Sequence, residues 1–451
     1  MQVQFIGATG TVTGSKYLVS YGRHNILIDC GLFQGISTIR RRNREELPFV
    51  ADKIDAVLLT HAHIDHSGYL PALMRQGFHG PIYTTAATTL LCQVLLPDAG
   101  YLQEEEARYA NKKKYSKYNP AEPLYTEEDA RQVLKQFKKI KTHTVLELPG
   151  GMTATFTPVG HILGACAIRL EYNGRSITFS GDVGRLNNAV MMPPEPLADT
   201  DNLVLESTYG DRAHVEIDAE EAIADVVNRT IKRGGIVLIP AFAVGRAQLV
   251  LYFVERLMAQ GRIPKVPVYL NSPMAIKATE IFLDNDKLHK LTSDDCEKID
   301  AITTYIRTTE QSIELTARRE PSIIISASGM ASGGRVLHHL KALVSNPIHT
   351  VLFMGYQAPG TRGFSLTSGT DQIKIHGEYY PINAEVLNLE ALSSHADYKE
   401  MCHWLNQMKN KPGRIFLTHG DPQAADIFRQ YLIDKFDLDV AIPSYLEKIN
   451  I

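Results

Sequence analysis

Short runs of valine, isoleucine and leucine recur along the chain, each closed by glycine, proline or a polar residue. They fall at 26–29, 56–60, 176–180, 203–206, 236–239, 268–270, 323–326, 351–354 and 415–418. Such runs are the signature of buried strands. Near the N-terminus Val3 and Phe5 alternate with Gln2 and Gln4, the period-two pattern of a strand with one apolar face. A different period governs 245–260. There Ala247, Val250, Leu251, Val254, Leu257 and Met258 recur three and four positions apart, and Pro264 comes after the expected helix end. A further helix is predicted over 336–344. Strands interleaved with helices place the chain in the α/β class.

The stretch 98–141 breaks this rhythm. It is rich in charge and tyrosine, with Lys112, Lys113, Lys114, Lys117, Lys135, Lys138, Lys139 and Lys141, and its apolar content is weak. It reads as a helical excursion from the sheet whose simplest role is a solvated surface.

A length of 451 residues suits two or three domains, and 44% apolar with 22% charged residues is a globular composition. The net charge of −3 does not advertise a nucleic-acid binder, although a basic groove can coexist with an acidic remainder. The five cysteines are scattered and never spaced C-x-x-C, which argues against a disulfide framework and a thiolate zinc site. Neither a signal peptide nor a membrane-length apolar run is visible, so a cytoplasmic protein is expected.

The chemistry concentrates where strands end. His61-Ala-His63-Ile-Asp65-His66 directly succeeds the run 56–60. A strand alternates its side chains and could not aim four ligands at one point; a loop at its end can. Imidazole nitrogen and carboxylate oxygen are ordinary zinc ligands. Comparable settings hold His161 in Val-Gly-His-Ile-Leu-Gly, Asp182 in Ser-Gly-Asp-Val-Gly, and His419 in Thr-His-Gly-Asp. Any one of these alone would be an ordinary capped turn. Together with the 61–66 loop they supply enough donors for two metal ions.

The motif H-x-H-x-D-H succeeded by a later His, an Asp and a final His resembles the metallo-β-lactamase fold. The chain beyond residue 200 resembles its β-CASP branch: Glu206 in Glu-Ser-Thr-Tyr-Gly210, His395 in Ser-Ser-His-Ala-Asp397, then His419. Between them stand Pro240-Ala-Phe-Ala-Val-Gly-Arg246, Asn271-Ser-Pro-Met274, Ser328-Gly-Met-Ala-Ser-Gly-Gly-Arg335 and Gly355-Tyr-Gln-Ala-Pro-Gly-Thr361, which look like β-CASP segments. Within that family of nucleases the chain resembles the RNA-cleaving subunit of the mRNA 3′-end processing factor and its bacterial and archaeal relatives.

The resemblance implies an αββα metallo-β-lactamase sandwich carrying an inserted α/β β-CASP domain. The first domain would occupy 1–208, the insertion 209–375 and the return segment 376–451. It implies a zinc-dependent ribonuclease acting on single-stranded RNA, with two zinc ions and manganese as the alternative metal. His61, His63 and His161 would hold the first ion; Asp65, His66 and His419 the second; Asp182 would bridge them. A hydroxide shared by the metals would be the nucleophile. His395 would be the general acid, oriented by Glu206, with Asp65 counted among the catalytic residues and Asp29 orienting the ligand loop by hydrogen bonds. Gly-rich turns that open helices suit phosphate, which makes Ser328, Gly329, Gly334, Arg335 and Arg246 candidate substrate contacts. No RNA-binding module precedes the fold and the chain ends soon after His419, which tilts the expectation to an endonuclease. A DNA nuclease, or a hydrolase of another ester on the same metals, stays open as the alternative. So do 5′-to-3′ exonuclease action and a homodimer.

Overall fold

The computed structural model describes residues 1–114, 119–215, 218–389 and 392–451, so Lys117 lies outside the described residues. The chain divides into two compact units. One holds Met1–Asn188, Pro193–Ala213 and His395–Ile451; the other holds Ala189–Met192 and His214–Ser394.

The first unit is built on two seven-stranded sheets. One runs in the order Lys448–Asn450, Gln2–Phe5, Tyr17–Tyr21, His24–Ile28, Ala56–Leu58, Ile82–Thr85 and Phe137–Ile140. The other runs Asp439–Ala441, Arg414–Thr418, Asn202–Glu206, Arg175–Phe179, Cys166–Tyr172, Thr153–Pro158 and Leu146–Glu147. The sheets face each other across one apolar layer. Val3, Phe5, Val19, Ile26, Ile28 and Leu58 from the first meet Phe156, Ile168, Ile177, Phe179, Val204 and Phe416 from the second. Among the described residues no helix contributes to that layer, so the helices lie outside it and the αββα order results. Full burial of each such side chain is worth about 1.5–3 kcal/mol. The alternation at the N-terminus holds. Val3 and Phe5 face the core, and Gln4 turns the other way, its amide donating to the Leu446 carbonyl at 3.2 Å.

In the second unit six strands form an all-parallel sheet in the order Thr303–Tyr305, Val268–Leu270, Ser322–Ser326, Ile236–Pro240, Thr350–Phe353 and Glu385–Asn388. The helix expected over 245–260 spans Arg246–Ala259, and the one expected over 336–344 spans Val336–Leu343.

Two expectations shift. The second unit was to end near residue 375 but continues to Ser394. Gln372–Ile375 turns back to pair with Glu378–Pro381, and Glu385–Asn388 adds the last strand beside Thr350–Phe353. The polar 98–141 stretch is helical only in part. Helix Ala86–Lys113 runs into it and helix Glu127–Val133 comes later, but Phe137–Ile140 is the edge strand of the first sheet. Lys138 and Lys139 are exposed there. Lysines on an edge strand discourage further pairing, and they also mask its strand character from a pattern read for apolar runs.

Lys16 is a buried cation in this frame. Its ammonium donates to the Gly31 carbonyl and lies 4.7 Å from the Phe33 ring centre and 4.6 Å from that of Tyr69. Burial lowers its pKa to about 8, against the opposing pull of the Cys30 thiol beside it. The unfolded chain, with an ordinary lysine pKa, therefore binds this proton more tightly than the folded protein does. The lysine's cost to folding is fully present below pH 8 and is relieved as pH rises toward 10.5. Urea unfolding of wild type and Lys16→Met across pH 7–10.5 checks this. The wild type should gain on the variant by up to ~3 kcal/mol as pH rises; a gap independent of pH would refute the buried charge.

Candidate metal centre

Every candidate ligand leaves the end of a strand or a turn between strands. In the first sheet His24–Ile28 and Ala56–Leu58 are parallel neighbours, and Asp29 and the 61–66 loop lie beyond their C-terminal ends. In the second sheet Arg175–Phe179, Asn202–Glu206 and Arg414–Thr418 are parallel neighbours, and they deliver Asp182, Glu206 and His419 at their C-terminal ends. His161 sits in the turn joining Thr153–Pro158 to Cys166–Tyr172. The return segment brings His395 in, held by the Ala396 N–H donating to the Val183 carbonyl at 2.8 Å.

The 61–66 loop is clamped from behind. Cys30 N–H donates to His66 O at 2.7 Å, Leu32 N–H to Ile64 O at 2.9 Å, and Ser15 N–H to Asp65 O at 2.9 Å. Gly31 is required at this crossing, because a Cβ there would lie 1.5 Å from the Asp65 carbonyl oxygen.

Two groups of donors result. His61, His63, His161 and Asp182 form one; Asp65, His66 and His419 form the other. In the first, His63 Nδ1 lies 3.2 Å from both His61 Nε2 and His161 Nε2. Asp182 Oδ2 lies 3.4 Å from His61 Nε2 and 3.5 Å from His161 Nε2. A tetrahedral ion bonded at 2.0–2.1 Å separates its ligands by roughly 3.3–3.4 Å, and these four separations match that spacing. In the second group His66 Nε2 is 3.1 Å from the other oxygen, Asp182 Oδ1, and His419 Nε2 is 3.4 Å from Asp65 Oδ2. Asp182 thus turns one carboxylate oxygen to each group.

The donor chemistry fits metal ions. Burial drives the His61 pKa down to about 3 and that of His63 to about 4, with neighbouring imidazoles adding to the effect. His161 lies well below its usual value for the same reasons. These are neutral imidazoles with lone pairs converging, the state a cation binds. The Nε2 atom of His63 is buried without a hydrogen-bond partner, as expected when Nδ1 is the working atom. Asp65 and Asp182 stay ionised: burial opposes this, but His419 and His66 outweigh it and hold both carboxyls below the ordinary range.

Two buried carboxylates choose which imidazole nitrogen faces the centre. Asp29 accepts from the Thr60 N–H and hydroxyl, both at 2.8 Å, and from His66 Nδ1 at 2.7 Å. Since the Thr60 hydroxyl spends its proton on Asp29, its oxygen accepts from His61 Nδ1 at 3.1 Å. Both rings are thereby fixed with Nε2 inward. Glu206 does the same on the other side. The Thr208 hydroxyl donates to it at 2.6 Å and stands 3.1 Å from His419 Nδ1. His395 Nδ1 donates to Glu206 at 3.0 Å, and the His395 ring centre lies 4.5 Å from that of His161. Burial alone would lower the His395 pKa, but Glu206, Asp182 and Asp65 lift it to about 9.

The structure therefore brings together Asp29, His61, His63, Asp65, His66, His161, Asp182, Glu206, His395 and His419. Sequence reasoning missed Thr60 and Thr208. The available signal was position, since one precedes His61 and the other stands two residues after Glu206. The expected substrate contacts lie in the second unit. Arg335 spends its guanidinium on Asn271 Oδ1 at 3.0 Å and the Ile306 and Arg307 carbonyls at 2.8 and 3.1 Å, which gives it a structural task. Arg246 is buried, and a Cβ on Gly355 would lie 3.1 Å from its Nη2. The Ser328 hydroxyl accepts from the Ser332 N–H at 3.0 Å, Gly329 packs against Phe242, and Gly334 takes a positive φ of 79°.

Comparison with known proteins adds an independent line. The family model of the metallo-beta-lactamase superfamily matches residues 9–219, that of the Beta-Casp domain 247–366, and that of the Zn-dependent metallo-hydrolase RNA specificity domain 379–443. Ribonuclease TTHA0252 of Thermus thermophilus is 34% identical over 434 residues, covering 94% of each chain. Transcription termination factor FttA of Pyrococcus abyssi is 30% identical, over 100% of this chain and 71% of its own. A crystal structure of an Enterococcus faecalis protein of unknown function shares the fold, with a TM-score of 0.52 at 16% identity over 100% of this chain and 99% of that one.

The hydrogen bonds of Asp29 make a measurable claim. Asp29→Asn removes the charge that His66 and Thr60 donate to, and should weaken divalent-metal binding by roughly 10- to 100-fold in chelator competition. Thr60→Val, which acts only through His61, should cost less. Equal affinities in all three proteins would show that these bonds do not set the imidazoles.

Proposed function

The chain belongs to the β-CASP family of metallo-β-lactamase-fold hydrolases, and we propose that it cleaves phosphodiester bonds of single-stranded RNA with two zinc ions. In this reading His61, His63 and His161 hold one ion, Asp65, His66 and His419 the other, and Asp182 both. Mixed imidazole and carboxylate donors favour zinc over manganese. Paired divalent ions supply Lewis acidity and lower the pKa of water near them. Everything else is the work of side chains.

The observation that carries the reading is the Glu206–His395 pair beside the two-centre cluster. A phosphodiester is hard to cleave because its leaving oxygen departs as an alkoxide unless it is given a proton. His395 is placed to give one. Its Nδ1 proton is committed to Glu206, so the opposite ring atom, Nε2, delivers the proton. Glu206 also favours the imidazolium and holds the ring in plane. A thioester expels a far more acidic thiol and needs no such donor, which argues against a thioesterase. The similarity to a protein named a ribonuclease favours RNA over DNA, and an endonuclease is the form proposed. In the second unit the backbone of the 328–334 turn remains the proposed phosphate contact. We place this activity in the cytoplasm; no helix among the described residues is long and apolar enough to cross a membrane.

The test uses 5′-labelled single-stranded RNA and a matched DNA. RNA should be cut at internal positions. Chelation or His63→Ala should abolish cutting, and His395→Ala should lower kcat by about 10²–10⁴-fold. Intact RNA in the presence of metal-loaded protein would overturn the ribonuclease reading, and undiminished cutting by His395→Ala would overturn the proton-donor role.

A further inference from the structure

Four arginines stand within five positions on the loop that leaves the strand His24–Ile28. Arg40 ends the short helix Ser37–Arg40, and Arg41, Arg42 and Arg44 lie on the 3-10 turn Arg41–Arg44 that comes next. Arg40 and Arg41 are exposed. Glu45 and Glu46 are the next residues in the chain. Among the described residues, however, neither they nor any other carboxylate forms an ion pair with Arg40, Arg41 or Arg42. An arginine run beside two glutamates would neutralise itself if it served only the surface. Here its charge is held outward.

The run is also fixed in place. The Phe33 N–H donates to Asn43 Oδ1 at 2.9 Å, and Asn43 Nδ2 returns a bond to the Phe33 carbonyl at 2.7 Å. Arg44 donates to the Glu122 carbonyl at 2.6 Å. The guanidinium of Arg42 lies 4.1 Å from the Tyr445 ring centre and 5.5 Å from that of Phe33, within cation–π range of both rings. Its Nη1 is buried and has no acceptor among the described residues. A buried guanidinium N–H without an acceptor is costly, and an anionic oxygen is the partner that suits it.

The location matters as much as the charge. Asn43 grips Phe33, and its neighbour Leu32 donates to Ile64 at 2.9 Å, one residue before Asp65. The arginine turn is thus tied through two residues to the backbone of the loop that carries the candidate ligands. Both belong to the same compact unit.

We propose that Arg40, Arg41 and Arg42 form a subsite for the phosphate backbone of the RNA strand, engaging it beyond the phosphate at the metal centre. This rests on the ribonuclease reading above. Such a subsite reads no sequence. It holds the strand in register, and it makes affinity fall steeply with salt.

The test measures binding of a fluorescent single-stranded RNA, about 20 nucleotides long, by anisotropy. It uses the metal-loaded protein carrying His395→Ala, over a salt series. Arg40→Glu/Arg41→Glu should weaken binding about tenfold or more at low salt, and should flatten the log–log salt slope by roughly 0.7 for each phosphate no longer neutralised. Arg40→Lys/Arg41→Lys should restore most of the affinity, because a phosphate accepts a point charge. Arg42→Lys should fall between, since an ammonium cannot supply the planar fork. Thermal unfolding should be unchanged in the exposed-pair variants. An unaltered affinity and salt slope in the Glu variant would overturn the subsite. So would competition by polyglutamate as effective as by RNA, which would mark the surface as a dock for an acidic protein. If the wild type cuts no RNA, the ribonuclease reading fails by itself, and the anisotropy still decides whether this surface binds the strand.

Discussion

The buried hydrogen bonds that Asp29 and Glu206 accept govern the whole centre. A neutral imidazole presents one lone pair, and which nitrogen carries it depends on where the ring proton is drawn. Asp29 draws the His66 proton directly and the His61 proton through Thr60; Glu206 draws the His395 proton directly and stands behind Thr208 at His419. Remove either carboxylate and the rings could turn away the nitrogens that now converge. Burying two carboxylates would be prohibitive without these donors. Structure and site therefore require each other.

The sandwich supplies the geometry this needs. In each sheet the chain crosses over between parallel neighbours, so their C-terminal ends line up along one edge. Asp29 and the 61–66 loop come from one sheet, and Asp182, Glu206 and His419 from the other. The apolar layer between Phe5, Ile28 and Leu58 on one side and Phe179, Val204 and Phe416 on the other fixes the distance across which they meet. Close packing transmits such positions with little play. The clamp of Ser15 and residues 30–32 on the ligand loop, with Gly31 pressed against Asp65, extends that rigidity to the last turn.

Arginine is put to different uses across the chain, and its partners tell them apart. Arg335 looked like a phosphate ligand because it closes a Gly-rich turn, yet its donors are spent on Asn271 and two carbonyls of its own unit. The arginine run at 40–44 carries no such motif, yet the charges of Arg40 and Arg41 face outward with no carboxylate among the described residues to answer them. Motif proximity and available charge are separate properties, and only coordinates separate them.

The sequence by itself determined where many of the most apolar strands lie, the α/β class and the seven donors of the two-group centre. These come from local rules: apolar periodicity marks the strands, and a polar residue with a glycine after a strand end marks each place where the chain can turn a ligand outward. It also made the Glu206–His395 partnership legible, through resemblance in order along the chain. The tertiary structure alone decided the non-local matters. That Phe137–Ile140 is an edge strand despite its lysines depends on a neighbour, Ile82–Thr85, more than fifty residues earlier. That the second unit continues to Ser394 depends on Glu385–Asn388 finding Thr350–Phe353. The roles of Thr60 and Thr208 depend on which hydroxyl proton is already spent, and that of Arg42 on a ring, Tyr445, from the far end of the chain. Periodicity records which face of an element is buried, but it holds no information about what lies opposite, and these roles are set by the opposite partner.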